Sequence, residues 1–213
     1  MTRSRTLLIL TLLTITLAVI LWMLSPPHPE QARLGYSSST FALQMVRDWP
    51  TLTIVLATPA RAGYRLHTMV DFLFIAVYGS LWIGMTWRFS LRRWFRWIVV
   101  GLFALAMLCD VLENFAILRV LAIERGFTNE MARAIRNWAL DKWLLLGFGW
   151  FGLAVALLKH RLWPLATGYI FAFGIVVTAW LTEPAMLQLV APTLLVVLVV
   201  QSVYFARQRT TNL

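Results

Sequence analysis

A single cysteine, Cys109, stands in a chain of 213 residues, so no intrachain disulfide can form. Its mid-span position makes it a small packing residue, with no nucleophile motif around it and no message about redox compartment. Charge is scarce as well. Charged residues make up 13% of the chain and hydrophobic ones 60%, where a soluble domain has roughly 25% and roughly 45–50%. The mean hydropathy of +0.74 agrees. This balance excludes an ordinary soluble fold and leaves no room for a separate soluble domain. Acidic groups are the scarcest: 9 against 19 basic ones, for a formal charge of +10. That excess does not make a nucleic-acid binder, because the arginines lie in short segments between apolar runs and form no basic face outside the membrane boundary. The signatures of soluble catalysis are missing too. There is no Ser-His-Asp spacing, P-loop or H-E-x-x-H. Gly147, Gly149 and Gly152 match G-x-G-x-x-G in form, but they sit inside a span with no preceding strand, where small residues serve close helix approach.

What is present is a series of apolar runs, each near the ~20 residues that cross a bilayer. They fall at 6–24, 66–86, 98–118, 143–158, 165–182 and 185–205, which predicts an all-α polytopic membrane helix bundle of about six transmembrane helices. Residues 1–213 form a single integral membrane domain, with connections at 25–65 and 119–142 on the periplasmic side. The first run exceeds the 7–15 residues of a signal-peptide core, and Ser25-Pro26-Pro27 offers no small-residue cleavage site, so it reads as an uncleaved anchor.

Orientation follows from the short loops. Arg88, Arg92, Arg93 and Arg96 fill one connection, Lys159 and Arg161 another, and Arg207 and Arg209 the C-terminal end; Arg3 and Arg5 join them. The positive-inside rule makes that side cytoplasmic, with both termini on it. On the other side Glu30, Asp48, Glu124, Glu130 and Asp141 accompany the arginines. Trp22, Trp138, Trp143 and Trp180 near the outer ends, and Trp87, Trp94, Trp97 and Trp163 near the inner ends, read as interfacial belts. The mix of tryptophan and arginine over 87–97 reads as a loop on anionic headgroups rather than a single-strand binder.

The outer connections carry structure of their own. Thr58-Pro59 is a helix start, and a helix from there to Trp87 would be about 43 Å long, more than the hydrocarbon core. Residues 41–49 read as a short amphipathic helix stopped by Pro50, and 128–140 as another, with Met131, Ile135 and Trp138 on one face. Both are expected to lie at the outer interface and roof the bundle.

Against this apolar background, a few ionisable residues stand where a membrane tolerates them poorly. His67, Asp71 and Tyr78 share one face of the second span, and Asp110, Glu113 and Asn114 form an i, i+3, i+4 stripe on the third. Lys142 opens the fourth. The second span runs inward and the third outward, so all seven fall in the outer half of the bilayer and are expected to converge as a ligand-binding pocket. Two outcomes compete. In one, Lys142, Arg119 or Arg65 neutralises the carboxylates and Asn114 and Tyr78 complete a structural network. In the other, the carboxylates serve proton exchange or cation binding. A metal centre is the weaker idea: the cluster has one histidine, lacks a repeated Glu-x-x-His, and Lys142 competes for the acids.

The segment Met69-Val70-Asp71-Phe72-Leu73-Phe74-Ile75-Ala76-Val77-Tyr78, then Cys109-Asp110-Val111-Leu112-Glu113-Asn114, then Lys142, resembles a group of bacterial multi-pass membrane proteins with D-F-L-F-x-x-x-Y and D-x-x-E-N segments. The resemblance spans residues 41–151 and supports Asp71, Tyr78, Asp110, Glu113, Asn114 and Lys142 as a unit; it implies no reaction. The expectation is therefore a protein that binds or transports a cationic or polar ligand reached from the lipid. Partners are the bilayer and a lipid or small molecule, with no nucleic acid and no cofactor specified. An intramembrane lipid- or isoprenoid-modifying enzyme and a structural or assembly protein are the alternatives. In the enzyme, Glu113 or Asp110 would be the base and His67 its partner.

Overall fold

The computed structural model describes residues 3–26, 38–56, 60–89, 92–124, 126–182 and 184–210. Among them every regular element is helical: α1 (Arg3–Leu24), α2 (Ser39–Gln44), α3 (Trp49–Val55), α4 (Arg61–Phe89), α5 (Arg93–Leu121), α6 (Asn129–Lys159), α7 (Trp163–Leu181), a 3₁₀ segment (Pro184–Leu189) and α8 (Val190–Thr210). Six of these helices are long and apolar enough to cross a membrane, the last running from the 3₁₀ segment into α8. The chain is thus a multi-pass membrane protein. Large apolar side chains such as Leu13, Leu108, Phe115, Phe171 and Val196 point outward, as they must where the solvent is lipid.

The long helices form a closed ring, each packed on the next in the order α1, α4, α5, α6, α7, α8 and back to α1. α2 and α3 pack on α6 and cap one end, where Leu43, Leu52, Val55, Tyr64, Ile117 and Ile135 make a second small core. The other end carries the arginine-rich turns. Inside the ring, the half nearer the arginines is filled: Trp82, Phe103 and Trp150 interlock, and Tyr169 donates to Gln201 Oε1 (2.8 Å), whose amide donates to Thr11 Oγ1 (2.9 Å). That fully buried chain ties α7, α8 and α1 together.

Local chemistry departs from the sequence reading in two places. Pro50 does not stop a helix but begins one. It occupies the first turn of α3, where its missing N–H is no loss, behind an Asp48 N-cap that accepts from Thr51 N at 2.9 Å. That amide also holds the half-buried Asp48 carboxyl below the usual carboxylate range. Second, 128–140 is not a separate interfacial piece. It is the first third of α6, a single 31-residue helix capped by Thr128, because Asp141 and Lys142 are polar without breaking a helix and nothing else interrupts the run. The connection before it shortens accordingly. The proposed Thr58-Pro59 start and residues Pro27, Glu30 and Arg125 lie outside the described residues.

The glycines of α6 explain its intimacy with α5. A Cβ on Gly149 would lie 2.6 Å from the Phe103 ring, and one on Gly152 2.5 Å from Val99. Phe103 is fully buried and stacked on Trp82, so it has little room to retreat. Gly149→Ala should therefore lower stability by about 1–3 kcal/mol through overpacking, read as a lower Tm in detergent. An unchanged Tm would mean that the α5–α6 contact is looser than it looks.

Candidate functional site

Above the filled half, the ring encloses a cavity of about 640 Å³ beneath the α2 cap. All seven residues singled out by helical spacing line it: His67, Asp71 and Tyr78 from α4, Asp110, Glu113 and Asn114 from α5, and Lys142 from α6. Their helices place them there for a simple reason. Each polar residue sits on the one face of its helix that is turned away from lipid, where the only alternative to a protein partner is hydrocarbon.

The centre is a hydrogen-bonded ion network. Lys142 Nζ donates to Asp110 Oδ1 at 2.8 Å and lies 2.6 Å from Glu113 Oε2. Tyr78 OH donates to the other Asp110 oxygen at 2.7 Å. Lys142 is 4% exposed and Glu113 1%, so this cation and its carboxylates are buried together. The Lys142–Glu113 contact is an ion pair without hydrogen-bond alignment, and Glu113 Oε2 accepts no hydrogen bond from the described residues. Gln44 of α2 faces the same carboxylate from above.

Asp71 stands apart. Asn114 Nδ2 donates to its Oδ2 at 2.8 Å, joining α4 to α5, but no cation among the described residues comes within ion-pair distance. It is half-buried, the most accessible acid of the group. Three carboxylates against one ammonium leave a formal surplus of two negative charges, a costly arrangement in low dielectric that a proton or a cationic group relieves. His67 occupies the rim rather than the network: its Nε2 lies 3.4 Å from Thr40 Oγ1, within a hydroxyl cluster that includes Ser25.

Among the described residues, Lys142 is the candidate counter-ion that pairs with Asp110 and Glu113. Arg65 donates to the Leu121 carbonyl at 3.4 Å, and Arg61 to the same carbonyl at 3.0 Å and to that of Ile123. Both satisfy the open carbonyls at the end of α5 instead. Among the described residues no three His, Cys, Asp or Glu side chains converge as a metal ion requires; Lys142 Nζ fills the space between Asp110 and Glu113.

The opposite wall could not be read from sequence. Thr14, Ala18 and Leu21 of α1 line it beside Leu194, Leu195 and Leu198 of the adjacent α8, in stretches whose mostly aliphatic side chains mark no inner face. Trp143, expected as an interfacial anchor, belongs to the cavity wall: it stacks on Phe41 at 6.0 Å and lies 5.4 Å from Lys142 Nζ. Its spacing of seven from Trp150 was the available signal. The result is a chamber with a carboxylate-rich wall of α4, α5 and α6 and an apolar wall of α1 and α8.

Set against family models, curated proteins and solved structures, the chain matches none.

Proposed function

We propose that this chain is a bacterial inner-membrane protein that binds, and as a transport step passes on, an amphipathic ligand with a cationic or polar head. The observation that carries the reading is the two-faced cavity: surplus carboxylate on one wall, aliphatic side chains on the other. A head group with N–H donors fits Asp71, the carboxylate without an ion-pair partner among the described residues, while an alkyl chain lies against Leu194, Leu195 and Leu198. Asp71 and Asp110 supply charge and Glu113 the exchangeable proton. Asn114 and Tyr78 orient the acids. Placing the arginine-rich turns in the cytoplasm turns the cavity toward the periplasmic leaflet, in keeping with Asp48, Glu124, Glu130 and Asp141 at the capped end. The resemblance over 41–151 supports treating the polar residues as one unit.

The enzyme reading has less support, because His67 bonds to a threonine rather than partnering a carboxylate. The structural reading keeps a share of the site: the Tyr78–Asp110–Lys142–Glu113 network locks three helices together whether or not a ligand arrives.

Asp71 separates these roles, since it neutralises nothing in the lock. Asp71→Asn keeps the size of the side chain and removes the charge. Affinity for dodecylamine, titrated by tryptophan fluorescence in a neutral detergent, should fall by about tenfold or more, with Tm nearly unchanged. Dodecanol should distinguish the two proteins little. Equal dodecylamine affinity in wild type and variant would sink the proposal.

A further inference from the structure

A second cavity lies at the other end of the bundle and has the opposite character. It measures about 380 Å³ and is bounded by Arg88 and Phe89 at the end of α4, His160 in the α6–α7 turn, and Tyr204 and Gln208 of α8. Arg88 is held in place. Its guanidinium lies 5.4 Å from the Phe89 ring centre and 5.9 Å from that of Phe205, and Nη2 donates to Gln208 Oε1 at 2.6 Å. Its Nε–H is buried and meets no acceptor among the described residues. A buried charged donor left open costs more than an ordinary unmade hydrogen bond.

The neighbours are arranged so that acceptors are used and donors remain. Gln208 Oε1 takes hydrogen bonds from Arg88 and, at 3.4 Å, from Ser4. The Gln208 amide donates to Tyr204 OH at 2.5 Å, so the tyrosine accepts there and keeps its own proton to give. His160 packs edge-on against Phe89 and adds an imidazole at the wall. Lys159 and Arg161 flank it in sequence. No described Asp or Glu lies in the turns at this end: the nearest described acids along the chain, Asp71, Asp110 and Asp141, all sit toward the capped half.

We infer that this cavity binds a phosphate group, using Arg88, Tyr204 and His160 as donors. Phosphate suits it because an oxyanion with several acceptor oxygens can take guanidinium and tyrosine protons together, and arginine's planar fork favours that geometry. The same chemistry is offered by a lipid headgroup at the membrane surface and by a free phosphate ester. The site is independent of the carboxylate chamber, from which it differs in charge, in depth and in every lining residue.

The test uses the full chain in a neutral, phosphate-free detergent, with Tm read from tryptophan fluorescence. Inorganic phosphate is titrated against sodium chloride at matched ionic strength. In a second arm, nanodiscs containing phosphatidate are compared with phosphatidylcholine alone. At least one phosphate probe should raise Tm above its control; stabilisation by inorganic phosphate points to a soluble ester, and by phosphatidate alone to a headgroup. Arg88→Gln should weaken the apparent affinity by about tenfold or more, and Tyr204→Phe by about threefold. His160→Gln, which leaves Arg88 and its partners intact, guards against a variant that fails to fold. No stabilisation by either probe would overturn the inference, as would wild-type affinity in Tyr204→Phe and His160→Gln together.

Discussion

Replacing Lys142 with methionine should destabilise the protein by about 3–5 kcal/mol, because it leaves two buried carboxylates facing one another without their cation. The ammonium lies 2.8 Å from Asp110 and 2.6 Å from Glu113, and all three residues are almost inaccessible. Methionine fills its volume without its charge. The loss should appear as a large drop in Tm in detergent or as failure to yield folded protein. The sharper half of the prediction is the rescue. Lys142→Met combined with Asp110→Asn and Glu113→Gln removes the stranded charges and should recover most of the loss, since neutral polar groups still bond to Tyr78 and Gln44. If the single variant melts with the wild type, the network is not an ionic lock, and the separation of roles between Asp71 and the other acids goes with it.

Truncating Trp150 to alanine should cost about 3 kcal/mol. The indole is fully buried, edge-on to Trp82 at 5.3 Å and 6.5 Å from Trp143, and it forms the boundary between the packed half of the ring and the open chamber. In a bilayer the transfer term is small, because lipid is as apolar as the protein interior, so the cost is lost dispersion contact and lies near the lower end of the range for Trp→Ala. Removing it merges the chamber with the space it vacates. A heat-denaturation series with alkylamines of increasing chain length should then show maximal stabilisation at a longer chain than in the wild type. An unchanged optimum would place the alkyl chain elsewhere.

These two residues illustrate how unevenly the site could be read from the chain. Lys142 was legible because charge inside an apolar run has few explanations, and its spacing from Asp110 and Glu113 becomes meaningful once helices run antiparallel. Trp150 was not, because an aromatic residue in an apolar span is ordinary and only its neighbours make it a wall. Pro50 and the 128–140 segment failed differently. Each was assigned by a local rule that has two outcomes: proline ends a helix or opens one, and an amphipathic stretch lies on the interface or joins the span that follows. Asp48 and the unbroken backbone through Asp141 and Lys142 decided them.

By itself, the order of residues determined that the chain is a bundle of membrane-crossing helices, and that His67, Asp71, Tyr78, Asp110, Glu113, Asn114 and Lys142 share inward faces. Length, hydropathy and a period of 3.6 are local quantities, and hydrocarbon leaves polar groups no second choice. Tertiary structure alone decided that Lys142 takes Asp110 and Glu113 while Asp71 goes without a cation, that α1 and α8 supply the apolar wall, and that Arg88 faces a pocket of donors at the far end. Those outcomes depend on the rotation of each helix about its axis, and in helices apolar on every side that rotation is set by packing against neighbours distant in the chain.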